Sequence, residues 1–205
     1  MKISQNKRNH PIAVTDIAID KVPCIKLRGF SSDQNRLIQR MHKELLERVK
    51  ILCDACGSDS MEVARLIDLH TWDYWEIEGK EERIVRLKDN PKAKQAMDTS
   101  PKNSLLLMHN HPSTGTFLGE DLKTFCNTDS LYIMAVVGND GSIYVLIKDV
   151  GFDAAEAMRA YGYFAEKYKK YKNNGTRAVR ALLKDAKLFG LYYKKGARKK
   201  NEREK

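Results

Sequence analysis

His109 and His111 stand one residue apart at the end of the apolar run LLLM, and Asp121 follows ten residues after the second. Along a strand successive side chains alternate faces, so the two imidazoles project together while Asn110 turns to the other side. Two imidazoles on one face can share a cation. Asp121, placed in the first turn of the next helix, can fold back over them as a third ligand. Two histidines and one carboxylate leave the fourth position of a tetrahedral Zn²⁺ open, which is the arrangement of a catalytic zinc rather than a structural one. Water acidified there is a nucleophile, and a base that takes its proton completes a hydrolytic site. A strand-end H-x-H can also be two surface histidines; the surrounding residues argue for the metal.

Those surroundings, HNHP behind an apolar strand and ahead of a helix that bears an aspartate, closely resemble the JAMM (MPN+) metalloprotease family, including its bacterial RadC-like branch. The similarity runs from Leu37 to Lys148 and looks closest to the short JAMM proteins of bacteria, their phages and mobile elements. It implies that His109, His111 and Asp121 bind one Zn²⁺ per chain and that a glutamate on an early strand is the general acid/base. Glu62, at the start of MEVARLIDL, fits that position best; Glu76 and Glu78 compete but fall on the following strand. The resemblance also implies hydrolysis of a peptide or isopeptide bond in a protein or peptide substrate. One position departs from the pattern. Leu118 stands where the family has the serine that helps hold the oxyanion, leaving Ser113, Thr114 and Thr116 of the same loop as candidate donors. A degenerate domain that binds a protein tail without cutting it is therefore a second reading.

The elements that must place these residues follow from the hydrophobic pattern. Ser31 or Ser32 caps a long amphipathic helix with Leu37, Met41, Leu45, Val49 and Leu52 on one face, and Gly57 stops it. MEVARLIDL, TWDYWEIEG and ERIVRL read as three successive strands in a meander. NPKAKQAMD is a short helix, LLLMHNH a buried strand and GEDLKTFCN a helix, and two strands meet at the turn NDG. Helices are expected over 153–172 and 176–193, and a strand over 22–27. The division is an N-terminal extension with a strand (1–30), a JAMM/MPN-like domain (31–150), C-terminal helices (151–193) and a basic, disordered tail (194–205). The fold class is α/β (α+β), and the resemblance implies an MPN/cytidine-deaminase-like mixed sheet flanked by helices, with the C-terminal helices added.

Composition sets the remaining bounds. With 42% hydrophobic and 31% charged residues the chain is an ordinary globular protein, and 205 residues suit one domain with a full core. No apolar run approaches the roughly 18 residues needed to span a bilayer, and the first residues lack a secretion signal. A cytoplasmic protein without a membrane partner is expected, with its four cysteines reduced. Cys53 and Cys56 form a lone C-x-x-C that could be half a zinc site or a redox pair; lacking a second ligand pair, the simple thiol reading is preferred. The net charge of +10 is concentrated at one end, since 167–205 holds 15 Lys or Arg against three acids and the preceding residues sum to −2. Within it Arg177, Arg180, Lys184 and Lys187 share one helix face opposite Val179, Leu182, Leu183, Ala186 and Phe189, so a nucleic acid or an acidic protein is a candidate partner for that face.

Overall fold

Ser31 starts the long helix as a capping box, its hydroxyl accepting from Gln34 N (3.1 Å) while the Gln34 side chain accepts from Ser31 N (2.8 Å). Gly57 ends it in the left-handed region at φ 69°. This helix, α2 (Ser32–Cys56), follows a short α1 (Asp16–Asp20). A computed structural model describes residues 11–79 and 85–196, apart from the side chain of Lys88. Six strands follow: β1 (Val63–Asp68), β2 (Tyr74–Glu78), β3 (Leu105–His111), β4 (Leu131–Gly138), β5 (Ile143–Lys148) and β6 (Leu191–Lys195). Between and after them lie α3 (Pro91–Thr99), α4 (Gly119–Asn127), α5 (Ala154–Lys167) and α6 (Asn174–Lys184). Among the described residues no helix is long and apolar enough to cross a membrane.

The strands form one mixed sheet in the order β2-β1-β3-β4-β5-β6, so the fold is α/β of the α+β kind. Among the described strands only the β3–β4 pair is parallel, and α4 provides its crossover. Both faces of the sheet are covered, which is why LLLMHNH is buried at every position. Leu105 and Leu107 enter the core beneath α3, α4, α5 and α6, while Leu106 and Met108 enter the core beneath α2. By the same alternation His109 and His111 continue the α4 side and Asn110 the α2 side.

Three expectations need correction. The segment 22–27 forms no strand and joins no ladder; α2 side chains bond two of its backbone groups instead, Asn35 Oδ1 accepting from Leu27 N (2.8 Å) and Gln39 Nε2 donating to Val22 O (2.8 Å). The proposed third strand of the meander falls partly outside the described residues, and its last residue opens a 3₁₀ helix, Leu87–Asp89. The free side of β1 pairs with β3 instead. The second C-terminal helix stops at Lys184; a 3₁₀ helix, Ala186–Phe189, leads into β6, which pairs antiparallel with β5. Lys194 and Lys195 of the expected disordered tail are thus strand residues, while 197–205 lie outside the described ones. The physical reason is the burial of β5 at all six positions, which requires a partner on its outer edge, and Leu191, Tyr192 and Tyr193 suit a strand.

Candidate metal centre

The centre lies at the C-terminal end of β3, where the chain turns through residues 112–118 into α4. His109 Nε2 and His111 Nε2 are 3.1 Å apart. Asp121 reaches back from the first turn of α4, with Oδ1 3.3 Å from His109 Nε2 and Oδ2 3.4 Å from His111 Nε2. All three ligand atoms lie within 4.8 Å of one another, and this group can hold a metal ion. The histidines are buried and the Asp121 side chain is 16% exposed, so the three are shielded yet reachable from solvent. Two imidazole nitrogens facing each other at this distance need one proton or one cation between them.

The triangle has the dimensions of a metal's ligand shell. Ligand atoms bonded to one ion at about 2.0–2.1 Å stand roughly 3.0–3.3 Å apart, and the two imidazole nitrogens, 3.1 Å apart, are on that scale, with one carboxylate oxygen of Asp121 near each of them. Imidazole donors disfavour Ca²⁺ and Mg²⁺, which take oxygen ligands. The same donor set serves Zn²⁺ and non-haem Fe(II).

Electrostatics and local structure hold the ligands in place. Burial alone would raise the Asp121 carboxyl, but the two imidazoles, through charge and hydrogen bonds, outweigh it and hold Asp121 well below the usual carboxylate range. For His111 burial acts downward, and the hydrogen bond and charge of Asp121, the charge of Glu62 and the Gly115 backbone together raise it. The His111 ring thus meets Asp121 on its Nε2 side and the Gly115 backbone on its Nδ1 side, which fixes the ring and leaves Nε2 for a metal. Leu118, the N-cap of α4, offers no side-chain cap, but its N–H donates to Asp121 Oδ2 (2.6 Å) and orients the carboxylate. Gly138 sits beside His111 in the β3–β4 register, and a Cβ there would fall 2.8 Å from the Ser113 carbonyl, so a glycine lets the loop lie down on the strand end.

Glu62 and His111 line one groove of about 1630 Å³, and Glu62 precedes β1 by one residue on the parity of Ala64 and Leu66, the α4 side. The competing glutamates face elsewhere. Glu76 accepts from Arg65 Nε (2.8 Å) and Glu78 pairs with Arg48, both on the α2 side. Ser113, Thr114, Thr116 and Leu118 also line the groove. Ser113 Oγ accepts from Gly115 N (3.2 Å), the Thr114 carbonyl accepts from the Tyr144 hydroxyl (3.2 Å), and Thr116 is buried beside Tyr193. Of the four basic residues singled out in the sequence, Arg180, Lys184 and Lys187 line the groove's far wall; Arg177 instead lies 4.9 Å from the Tyr171 ring centroid.

No family model, curated protein or solved structure matches the chain.

Sequence reasoning missed Asn110. Its side-chain Oδ1 accepts from Val63 N (2.7 Å), and its Nδ2 donates to Met61 O (3.0 Å) and Asn139 Oδ1 (3.0 Å). Met61 and Val63 flank Glu62, so the residue between the two histidines fastens the backbone of the glutamate to their strand. A fully buried asparagine in an apolar run is itself a signal, because such an amide must find partners. Cys53 and Cys56 take no part in the metal group: Cys53 is buried, which raises its thiol, and Cys56 Sγ contacts Cys53 O at 3.6 Å.

Proposed function

We propose that the chain is a zinc-dependent hydrolase of peptide or isopeptide bonds of the JAMM/MPN+ type, with His109, His111 and Asp121 holding one Zn²⁺ and Glu62 acting as general acid/base. The observation that supports this reading is the buried cluster of two imidazole nitrogens and one carboxylate within ligand distance of one another, with a second carboxylate, Glu62, lining the groove that His111 also lines. When bound, Zn²⁺ supplies Lewis acidity, polarising a carbonyl and acidifying water. Asp121 and the two neutral imidazoles bind, and the Leu118 N–H and Gly115 backbone keep them oriented. Glu62 takes a proton from the attacking water as the C–O bond forms and delivers it to the leaving amine as the C–N bond breaks. Burial of the histidines limits bulk water around the reacting atoms.

Glu62→Gln keeps the shape of the side chain and removes the base. The expected result is full zinc content with turnover on a peptide and isopeptide library reduced on the order of 10²- to 10⁴-fold. Undiminished hydrolysis by that variant would reassign the base.

The non-cutting reading has one specific observation behind it. Leu118 presents an exposed apolar side chain where a hydroxyl donor is expected, and loss of one oxyanion donor costs on the order of 10²- to 10³-fold. Zinc binding without turnover on any substrate of the library is the outcome that selects it.

A further inference from the structure

The groove that opens on the candidate metal centre has a second wall, and that wall is basic. Arg180 and Lys184 line it from α6, Lys187 from the 3₁₀ helix that follows, and Lys195 from β6. Arg180, Lys184 and Lys187 are exposed, and among the described residues none of the three has an ion-pair partner. Neighbouring helices behave differently: Lys123 pairs with Glu120 (2.7 Å), Lys169 with Glu166 (3.2 Å) and Arg159 with Glu156 (3.6 Å). Asp185 is the one carboxylate lining that wall among the described residues; Asp140, whose carboxylate accepts from Ser142 N (3.0 Å), belongs with Glu62 to the end where His111 lies. Positive side chains left unpaired along a concave surface raise the local concentration of an anionic ligand and steer it inward.

Two further features separate a polypeptide from a nucleic acid as that ligand. Leu188 (76% exposed) and Leu118 (46% exposed) both line the groove, offering apolar contacts that a phosphate backbone does not use. In addition β6 is the last strand of the sheet, and among the described residues no strand pairs with its outer edge. Tyr192, Tyr193 and Lys195 of that strand line the groove together with the basic side chains, and a sheet edge can pair with an extended chain.

We propose that this groove receives an acidic polypeptide segment, a stretch carrying several Asp or Glu residues next to the bond to be cut. The proposal rests on the hydrolytic reading of the centre and names the substrate class of that site.

The test uses the full-length, zinc-loaded protein and fluorescence anisotropy at low salt. The probes are a labelled peptide of alternating Glu and Ser, its Lys–Ser counterpart, and a single-stranded oligothymidine. Binding of the Glu–Ser peptide in preference to the other two is expected, weakened by added salt. The triple variant Arg180→Glu/Lys184→Glu/Lys187→Glu reverses exposed charges and leaves the buried Val179, Leu182 and Leu183 untouched. It should bind the Glu–Ser peptide at least about tenfold more weakly while retaining its zinc. Should the reversal lower the thermal midpoint, the Gln variants at the same three positions carry the comparison. Unchanged affinity in the variants overturns the proposal, as does a wild-type preference for oligothymidine or for the Lys–Ser peptide. Zinc binding without recognition of the Glu–Ser peptide removes the groove proposal and leaves the metal centre standing. Recognition through α6 by a protein that holds no zinc does the reverse.

Discussion

Asn110 shows how much of a site can depend on a residue that never faces it. Its amide holds the Met61 carbonyl and the Val63 N–H, so Glu62 is carried on the same rigid piece as His109 and His111. Asn110→Leu keeps the volume and leaves both backbone groups buried without that partner, at a cost of roughly 2–3 kcal/mol. Chemical denaturation should show that loss. Zinc content should stay, and turnover should fall by about 10²-fold, since small misplacements of a catalytic group have effects of that size. A variant equally active and equally stable would mean that Asn110 positions nothing. At this scale the sequence was informative about the ligands and silent about their supports. Strand parity places His109 and His111 on one face, and a helix start places Asp121 within reach. The Met61 and Val63 backbone groups that Asn110 binds are nearly fifty residues away, and the Leu118 N–H and Gly115 backbone are groups that every residue carries, so no residue type advertises them.

Elements with their own local signals were legible from end to end. Ser31, Gln34 and Gly57 mark the limits of α2, and Asn90, which accepts from Lys92 N and Ala93 N (3.1 Å each), marks the start of α3 ahead of Pro91. The segments that were misread are those whose state is decided by distant partners. Residues 22–27 look like a strand but are held by side chains of α2, and 191–193 extend a helical pattern yet are recruited, with Lys194 and Lys195, by the outer edge of β5. That recruitment has a measurable consequence. A chain ending at Gly190 lacks β6 and exposes the β5 edge, losing the burial of Leu191 and the ladder bonds, together of the order of 5 kcal/mol. Such a loss is comparable to the whole stability of a domain this size, so the truncated chain should be largely unfolded or aggregated by circular dichroism and gel filtration. A folded monomer would contradict the role given to β6.

For the whole molecule, the C-terminal helices and the sheet share one core. α5 and α6 pack into the same core as α4, and β6 completes the sheet that carries the histidines. His42, on the buried face of α2, has Nδ1 2.7 Å from Ile38 O, and burial pushes its imidazole down to about 4 despite that contact. An imidazole kept neutral in the fold binds a proton on unfolding, so its contribution is present above pH 6.5 and is lost as pH falls toward 4, by roughly 3 kcal/mol. His111 is raised, so its contribution changes above pH 6.5, and that of Asp121, which is lowered, changes below the ordinary Asp value; neither acts in the window between 4 and 6.5. Urea midpoints measured across that window should decline in the native sequence and flatten in His42→Leu. The same decline in both would place the acid sensitivity elsewhere.

Proton competition at His111 also predicts that metal binding weakens as pH falls, because the ligand nitrogen must be deprotonated. The most direct measurement is therefore the metal content of the purified full-length chain at neutral pH after equilibration with zinc, by mass spectrometry of the elements, beside His109→Ala and Asp121→Ala. One zinc per chain, lost in both variants, is the predicted result. No bound zinc in the native chain, or the same zinc content in all three proteins, would contradict it.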